Sequence, residues 1–231
     1  DAKYRPERPV PRGLVSLGEL KWLGIISGIL QLLLSYFLHP PLIILLLSVW
    51  VYMAMMSVEF FVPEWLKKHP FTYLSTHMLI MPLIDLFATG CDWQRLSKFP
   101  PEGLLWFLIV SFFNGVVIEI GRKTWAPEQE REGVESYSAD WGIKPAIFVW
   151  IASIALSLVC ACLVAAKIMF LTPVLVSLSI IAFTLLMLGV TFIRKPTPQK
   201  SKMLENASGL WVAGLYLTLG IMPMGYNAWL N

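Results

Sequence analysis

Long apolar stretches separated by short polar ones run the whole length of the chain, and none shows the two-residue alternation of a transmembrane strand. Seven stretches stand out, at residues 22–38, 41–58, 71–91, 103–118, 145–166, 168–193 and 207–230. Each approaches the ~20 apolar residues that an α-helix needs to cross a bilayer. Ser16-Leu17-Gly18-Glu19 has the spacing of a capping box ahead of the first stretch. Pro145 opens the fifth at a favourable first-turn position, and Pro82 is expected to kink the third. Connections near residues 39–40 and 167 are minimal, which predicts tight helical hairpins. The pattern predicts an all-α, polytopic transmembrane helical bundle, with residues 1–231 forming one membrane domain.

Composition supports that picture. The chain of 231 residues is 57% hydrophobic and 14% charged, with a mean hydropathy of +0.67. Soluble domains are nearer one-quarter charged, so a water-soluble core, a disordered chain and a disulfide scaffold are all excluded. Cys91, Cys160 and Cys162 have no metal-binding spacing. With seven crossings, residues 1–21, 63–70, 119–144 and 193–206 share one side. They carry every Lys and Arg except Arg95, Lys98 and Lys167. The positive-inside rule then places that side in the cytoplasm and the carboxyl end outside. The chain opens on Asp1 without an initiator methionine or a signal-peptide pattern, which reads as part of a longer protein.

Candidate chemistry gathers on the basic side. The segment 119–144 holds Glu119, Arg122, Lys123, Glu128, Glu130, Arg131, Glu132, Glu135, Asp140 and Lys144. It is either a solvated loop or a site where carboxylates hold a hard cation; magnesium commonly sits between one or two carboxylates and phosphate oxygens. The arm around Arg8-Pro9-Val10-Pro11-Arg12-Gly13 is either a basic tail attracted to anionic lipid or a proline-extended backbone that grips an anionic headgroup. In the third stretch, Tyr73, His77, Met81, Asp85 and Thr89 recur every four residues and share one helical face. An acid such as Asp85 inside a bilayer costs about 2.5–3.5 kcal/mol on insertion scales, so it should face a partner or a cavity. An interhelical hydrogen bond and a role in acceptor binding both satisfy that demand. Gly24 and Gly28 form a Gly-x-x-x-Gly pair on the first span.

Asp1, followed by Arg8-Pro9-Val10-Pro11-x-Gly13, resembles the end of the first aspartate-rich motif of the UbiA superfamily of intramembrane prenyltransferases, with the spacing of the chlorophyll-synthase-like branch. Glu119-x-x-Arg122-Lys123, then Glu128-x-Glu130-x-x-Gly133-Val134-Glu135-Ser136 and Gly142, is similar to the family's second acidic motif. The stretch from Pro63 to Lys68 resembles its lysine turn. The chain departs from the pattern in carrying Glu where the family has Asp, in placing Gln129 at the best-aligned acid, and in lacking the tyrosine of the lysine turn. Family members typically have nine spans, so the resemblance implies that the first two helices precede this sequence, and that the fragment alone would be inactive.

What the resemblance implies is magnesium-dependent transfer of a prenyl chain from a prenyl diphosphate to a lipophilic, ring-bearing acceptor within the membrane. It implies Asp1, Glu119, Glu128, Glu130 and Glu132 as metal ligands. Arg8, Arg12, Arg122 and Lys123 become substrate-binding residues and Lys67 and Lys68 catalytic ones, while the polar stripe of the third stretch adds His77 to the first set and Asp85 to the second. Trp50, Tyr52, Phe112 and Phe113 are aromatic candidates for steadying an allylic cation, or ordinary helix packing. The expected location is the cytoplasmic (inner) membrane with the site on its cytoplasmic face, the expected partners include membrane lipid, and no nucleic acid is implied. The competing reading is a transport or binding bundle, or a family member without activity, in which the acidic segment is merely solvated. A rhodopsin-like receptor would need the opposite orientation.

Overall fold

In the computed structural model, residues 8–97 and 99–230 are described, with side chains described as far as Tyr226; Asp1 lies outside the described residues. Every regular element among them is helical: α1 (Leu17–Leu38), α2 (Leu42–Ser57), a 3₁₀ turn (Glu59–Phe61), α3 (Pro63–Lys67), α4 (Pro70–Met78), α5 (Ile80–Leu96), α6 (Leu104–Arg122), a second 3₁₀ turn (Pro127–Gln129), α7 (Tyr137–Asp140), α8 (Ile143–Lys167), α9 (Leu171–Arg194), α10 (Pro198–Tyr216), a π turn (Leu217–Ile221) and α11 (Met222–Leu230). Six stretches are long and apolar enough to span a membrane, α4 and α5 counting as one. The remaining one of the seven expected, α2, has 16 residues, about 24 Å at 1.5 Å per residue, which is shorter than a typical ~30 Å hydrocarbon core.

Local chemistry explains the boundaries. Both halves of the capping box form: Glu19 N–H donates to Ser16 Oγ at 3.1 Å and Ser16 N–H to Glu19 Oε2 at 2.7 Å. Helix α1 therefore begins at Leu17, more than a turn before the apolar stretch starts. The third span breaks at Leu79, because Pro82 lacks the N–H that the carbonyl one turn back would accept and its ring crowds that carbonyl. Helix α6 continues through Arg122, so Glu119 and Arg122 sit on its last turn rather than in a loop. The polar segment 193–206 is helical from Pro198 onward, capped by the Thr197 side chain accepting from the Lys200 N–H. The arm is not extended as its prolines suggested. Arg12 N–H donates to Arg8 O and Gly13 N–H to Val10 O, and Gly13, at φ +71°, closes the turn in a region open to glycine.

Helix α6 is the hub, packed against α4, α5, α8 and α10, while α9 covers α8. Lipid tails are as apolar as leucine, so close packing rather than water exclusion must hold such helices together. Ser153, Ser157, Ala161 and Ala165 form a buried small-residue stripe on α8, which lets α6 approach. Gly121 does the same toward α10: a Cβ there would fall 2.0 Å from Ser208 Oγ. Trp150 and Trp211 are fully buried in this core, and Trp150 Nε1–H donates to Ser208 Oγ at 2.9 Å. In the outer pair, a Cβ added at Gly28 would meet the Trp50 ring of α2 at 3.5 Å, whereas one added at Gly24 would meet nothing within 4 Å.

Candidate functional site

The last turn of α6 carries the charge. Glu119, with its side chain 13% exposed, pairs with Arg122 and with Lys123 Nζ at 2.8 Å. The chain beyond folds back over this turn. Tyr137 N–H donates to Lys123 O at 2.9 Å, Trp125 N–H to Ser138 Oγ at 2.7 Å, and Ser201 Oγ–H from α10 to Thr124 O at 2.8 Å. Glu130 accepts from Ser136 and Ser138, each at 2.7 Å, so both its oxygens staple the loop to itself. Gln129 is likewise engaged, accepting from the Ala126 N–H.

Three cavities meet at Lys123. One of ≈ 630 Å³ is lined by Arg8, Arg122, Lys123, Glu128, Arg131 and Lys202, among others. A second, of ≈ 250 Å³, places Glu119, Arg122, Lys123 and His77 together with the apolar Met56 and Met78. The third, of ≈ 100 Å³, shares Tyr73, Lys123 and Tyr137 with the second and adds Lys67, Glu135 and Asp140. Burial, reinforced by the negative charge of Glu119, pushes the Tyr137 phenol upward, which keeps it a neutral donor. Burial also raises the Asp140 carboxyl, with Glu135 and Glu130 adding to the shift.

The structure thus places Arg8, Lys67, His77, Glu119, Arg122, Lys123 and Glu128 around three cavities that have Lys123 in common. It does not bring in Arg12, Lys68 or Glu132, which are exposed and border none of the three cavities. Asp85 is bonded instead to Tyr216 across the bundle. Among the described residues no three His, Cys, Asp or Glu side chains gather to hold a metal ion. Of the aromatic candidates, Tyr52 lies beside this region, its hydroxyl donating to Thr76 O at 2.6 Å; Trp50 is occupied by Gln31 of α1, and Phe112 and Phe113 pack edge-on with each other.

One acidic contributor, Glu59, escaped the sequence reading, and one aromatic contributor, Tyr73, was read there only as part of the polar stripe on the third stretch. Glu59 lies at the foot of α2, its Oε2 3.4 Å from His77 Nε2. Tyr73 stacks on His77 with ring centroids 3.9 Å apart. The available signal was an isolated Glu between an uncharged helix and two phenylalanines, but its inward aim depends on backbone conformation. Glu59, Phe60 and Phe61 have φ of 51°, 52° and 62°, a left-handed succession that costs non-glycine residues roughly 1–3 kcal/mol each.

Neither curated proteins nor solved structures gave a match. A family model does match, that of the UbiA prenyltransferase family, over residues 1–210. A bundle of membrane-length helices, ending on a basic face over which an acidic loop folds, accords with that match. The chain is an integral membrane protein that belongs to the UbiA prenyltransferase family.

Proposed function

We propose that this face binds the diphosphate of a prenyl diphosphate and that the protein transfers the prenyl chain to a lipophilic acceptor within the membrane. The observation that carries the reading is the ≈ 250 Å³ cavity, where Glu119, Arg122 and Lys123 share walls with Leu74, Met78 and Ile80. A strongly anionic headgroup on an apolar tail requires both chemistries in one space. Arg122 and Lys123 meet the headgroup, with Arg8 and Lys67 approaching from the adjoining cavities. Fixed positive groups aimed at charge that grows on the leaving diphosphate contribute strongly to such a reaction. The ring of Tyr73, which also lines this cavity, can steady an allylic cation by about 0.5–2 kcal/mol.

The donor set suits magnesium of the bridging kind. Carboxylate oxygens are hard ligands, and an ion that keeps its waters and takes phosphate oxygens needs only one or two of them. Glu119 and Glu128, with Asp1, would hold it; Glu130 serves the loop and Glu132 stays in solvent. When bound, magnesium neutralises the departing diphosphate. The concentration of Lys and Arg on this side supports a cytoplasmic face with the carboxyl end outside.

The neutralisation of Glu119 by two cations favours, as the second reading, a bundle that binds prenyl diphosphates without turnover. A product assay separates the two. Full-length protein in nanodiscs, given prenyl diphosphates of several lengths and lipophilic acceptors, should release diphosphate in a magnesium-dependent manner. Release should vanish in Glu119→Gln or Glu128→Gln. Undiminished release in both variants removes those ligand assignments, and binding without release leaves the non-catalytic bundle.

A further inference from the structure

We infer that Glu59 and His77 form the proton-accepting pair of the acceptor subsite, taking the proton that a hydroxyl-bearing acceptor gives up as it receives the prenyl group; the inference rests on the prenyl-transfer reading above.

The geometry of the imidazole carries the argument. His77 Nδ1 lies 2.9 Å from the carbonyl oxygen of Tyr73, one turn back on α4. A carbonyl can only accept, so Nδ1 bears the hydrogen and the tautomer is set. That leaves Nε2 facing Glu59 Oε2 at 3.4 Å. With Nδ1 as the donor, Nε2 presents a lone pair to the carboxylate oxygen, so two acceptors face each other and a single proton taken up between them satisfies both.

Glu59 Oε2 is buried and takes no hydrogen bond among the described residues. Its other oxygen has only a long contact, 3.5 Å, with the Tyr73 hydroxyl. Buried acceptors are normally satisfied, and three consecutive left-handed residues hold this one inward. The surroundings suit an apolar body carrying one donor: Tyr73 stacks on His77, Phe60 meets the imidazole edge-on with centroids 6.0 Å apart, and Tyr52 packs against Phe60. His77 and Tyr73 also line the cavity that holds Glu119, Arg122 and Lys123, so the pair reaches the space proposed for the departing diphosphate through His77. The charged and titratable groups facing that space are Tyr73 from α4, Glu119, Arg122 and Lys123 from the α6 end, and Tyr137 from α7.

The step balances as follows. The bond from prenyl C1 to the diphosphate oxygen breaks and its electron pair leaves with the diphosphate. A lone pair of the acceptor oxygen forms the new bond to C1, and the hydroxyl proton passes to the Glu59–His77 pair, which later returns it to water. A positioned base contributes about 10²–10⁴-fold to a rate. The acceptor class is accordingly a lipophilic alcohol or phenol.

The test measures two quantities on the full-length protein in nanodiscs: affinity for inorganic diphosphate with magnesium, and the rate of acceptor prenylation against pH. For Glu59→Gln, whose residue borders none of the three cavities, diphosphate affinity should stay within about threefold of the unsubstituted protein, which also reports that the variant is folded; prenylation is measured for Glu59→Gln and His77→Gln alike. The prenylation rate should fall by 10²-fold or more, and the acidic limb of the pH profile should flatten. Normal prenylation with an unchanged acidic limb in both variants overturns the inference while leaving prenyl transfer intact. Absence of prenylation by the unsubstituted protein overturns the prenyl-transfer reading itself.

Discussion

Tyr216 donates its phenolic hydrogen to Asp85 Oδ2 at 2.5 Å, joining α10 to α5 across a sequence separation of 131 residues. The acid that stood out in the third apolar stretch is thereby partnered inside the bundle. Nearby, the buried Ser157 Oγ–H donates to Asn114 Oδ1 at 3.0 Å, so α6 and α8 are tied by a second polar contact. Removing one partner of such a bond strands the other in a low-dielectric interior, and the penalty is that of an unsatisfied charged group.

Tyr216→Phe should therefore lower the thermal stability of the detergent-solubilised protein by about 1–3 kcal/mol. Asp85→Asn, which keeps an acceptor for the tyrosine, should cost less. A double-mutant cycle read by thermal unfolding checks the coupling; additive effects of the two changes would mean that the bond contributes nothing.

Gly121 sets the distance between α6 and α10 beside the charged turn. Gly121→Ala must push Ser208 away, because the added Cβ would overlap Ser208 Oγ and approach the Leu204 carbonyl to 3.2 Å. A loss of about 1–3 kcal/mol is expected from this overpacking. Gly209→Ala, where the added Cβ has nothing within 4 Å, is the control and should be near neutral in the same melt.

Lys123 borders all three cavities, whereas Lys68 is exposed and borders none of them. A hydrogen bond to a charged group contributes about 1.5–3 kcal/mol. Lys123→Ala should accordingly weaken diphosphate binding by roughly ten- to a hundredfold, with a smaller salt dependence than the unsubstituted protein. Lys68→Ala should leave affinity within about twofold. Isothermal titration with inorganic diphosphate and magnesium distinguishes them.

Glu130 spends both carboxylate oxygens on Ser136 and Ser138. As a loop staple, Glu130→Ala should speed hydrogen exchange at the Trp125 amide, which donates to Ser138 Oγ, and at the Ala139 amide, which donates to Ser136 Oγ. Magnesium dependence of diphosphate binding should stay as it was. Normal exchange combined with a large loss of magnesium dependence would instead make Glu130 a metal ligand.

Much of this protein is local in origin and hence readable along the chain. Whether a segment spans a bilayer depends on its own length and apolarity, because an unsatisfied backbone is too costly in lipid for anything but a helix or a closed barrel. The Ser16–Glu19 cap and the break ahead of Pro82 follow from contacts within one or two turns. The expected gathering of basic residues on one side comes from counting seven crossings, of which six are long enough to span by themselves. The turn at residues 8–13 shows where local rules fell short: prolines restrict φ, yet the hydrogen bonds closed by Gly13 chose a turn over an extended arm.

Tertiary structure decided the rest, and the reason is that side-chain partners come from elements far apart in sequence. Among the acids of 119–132, spacing could not separate Glu119, paired with cations on the helix end, from Glu130, consumed by two serines. Nor could it show that Asp85 would meet Tyr216, or that a left-handed turn would aim Glu59 at His77. Apolar length determined which segments are helices; packing decided which polar side chains share a cavity, because only the assembled bundle sets the distances between them.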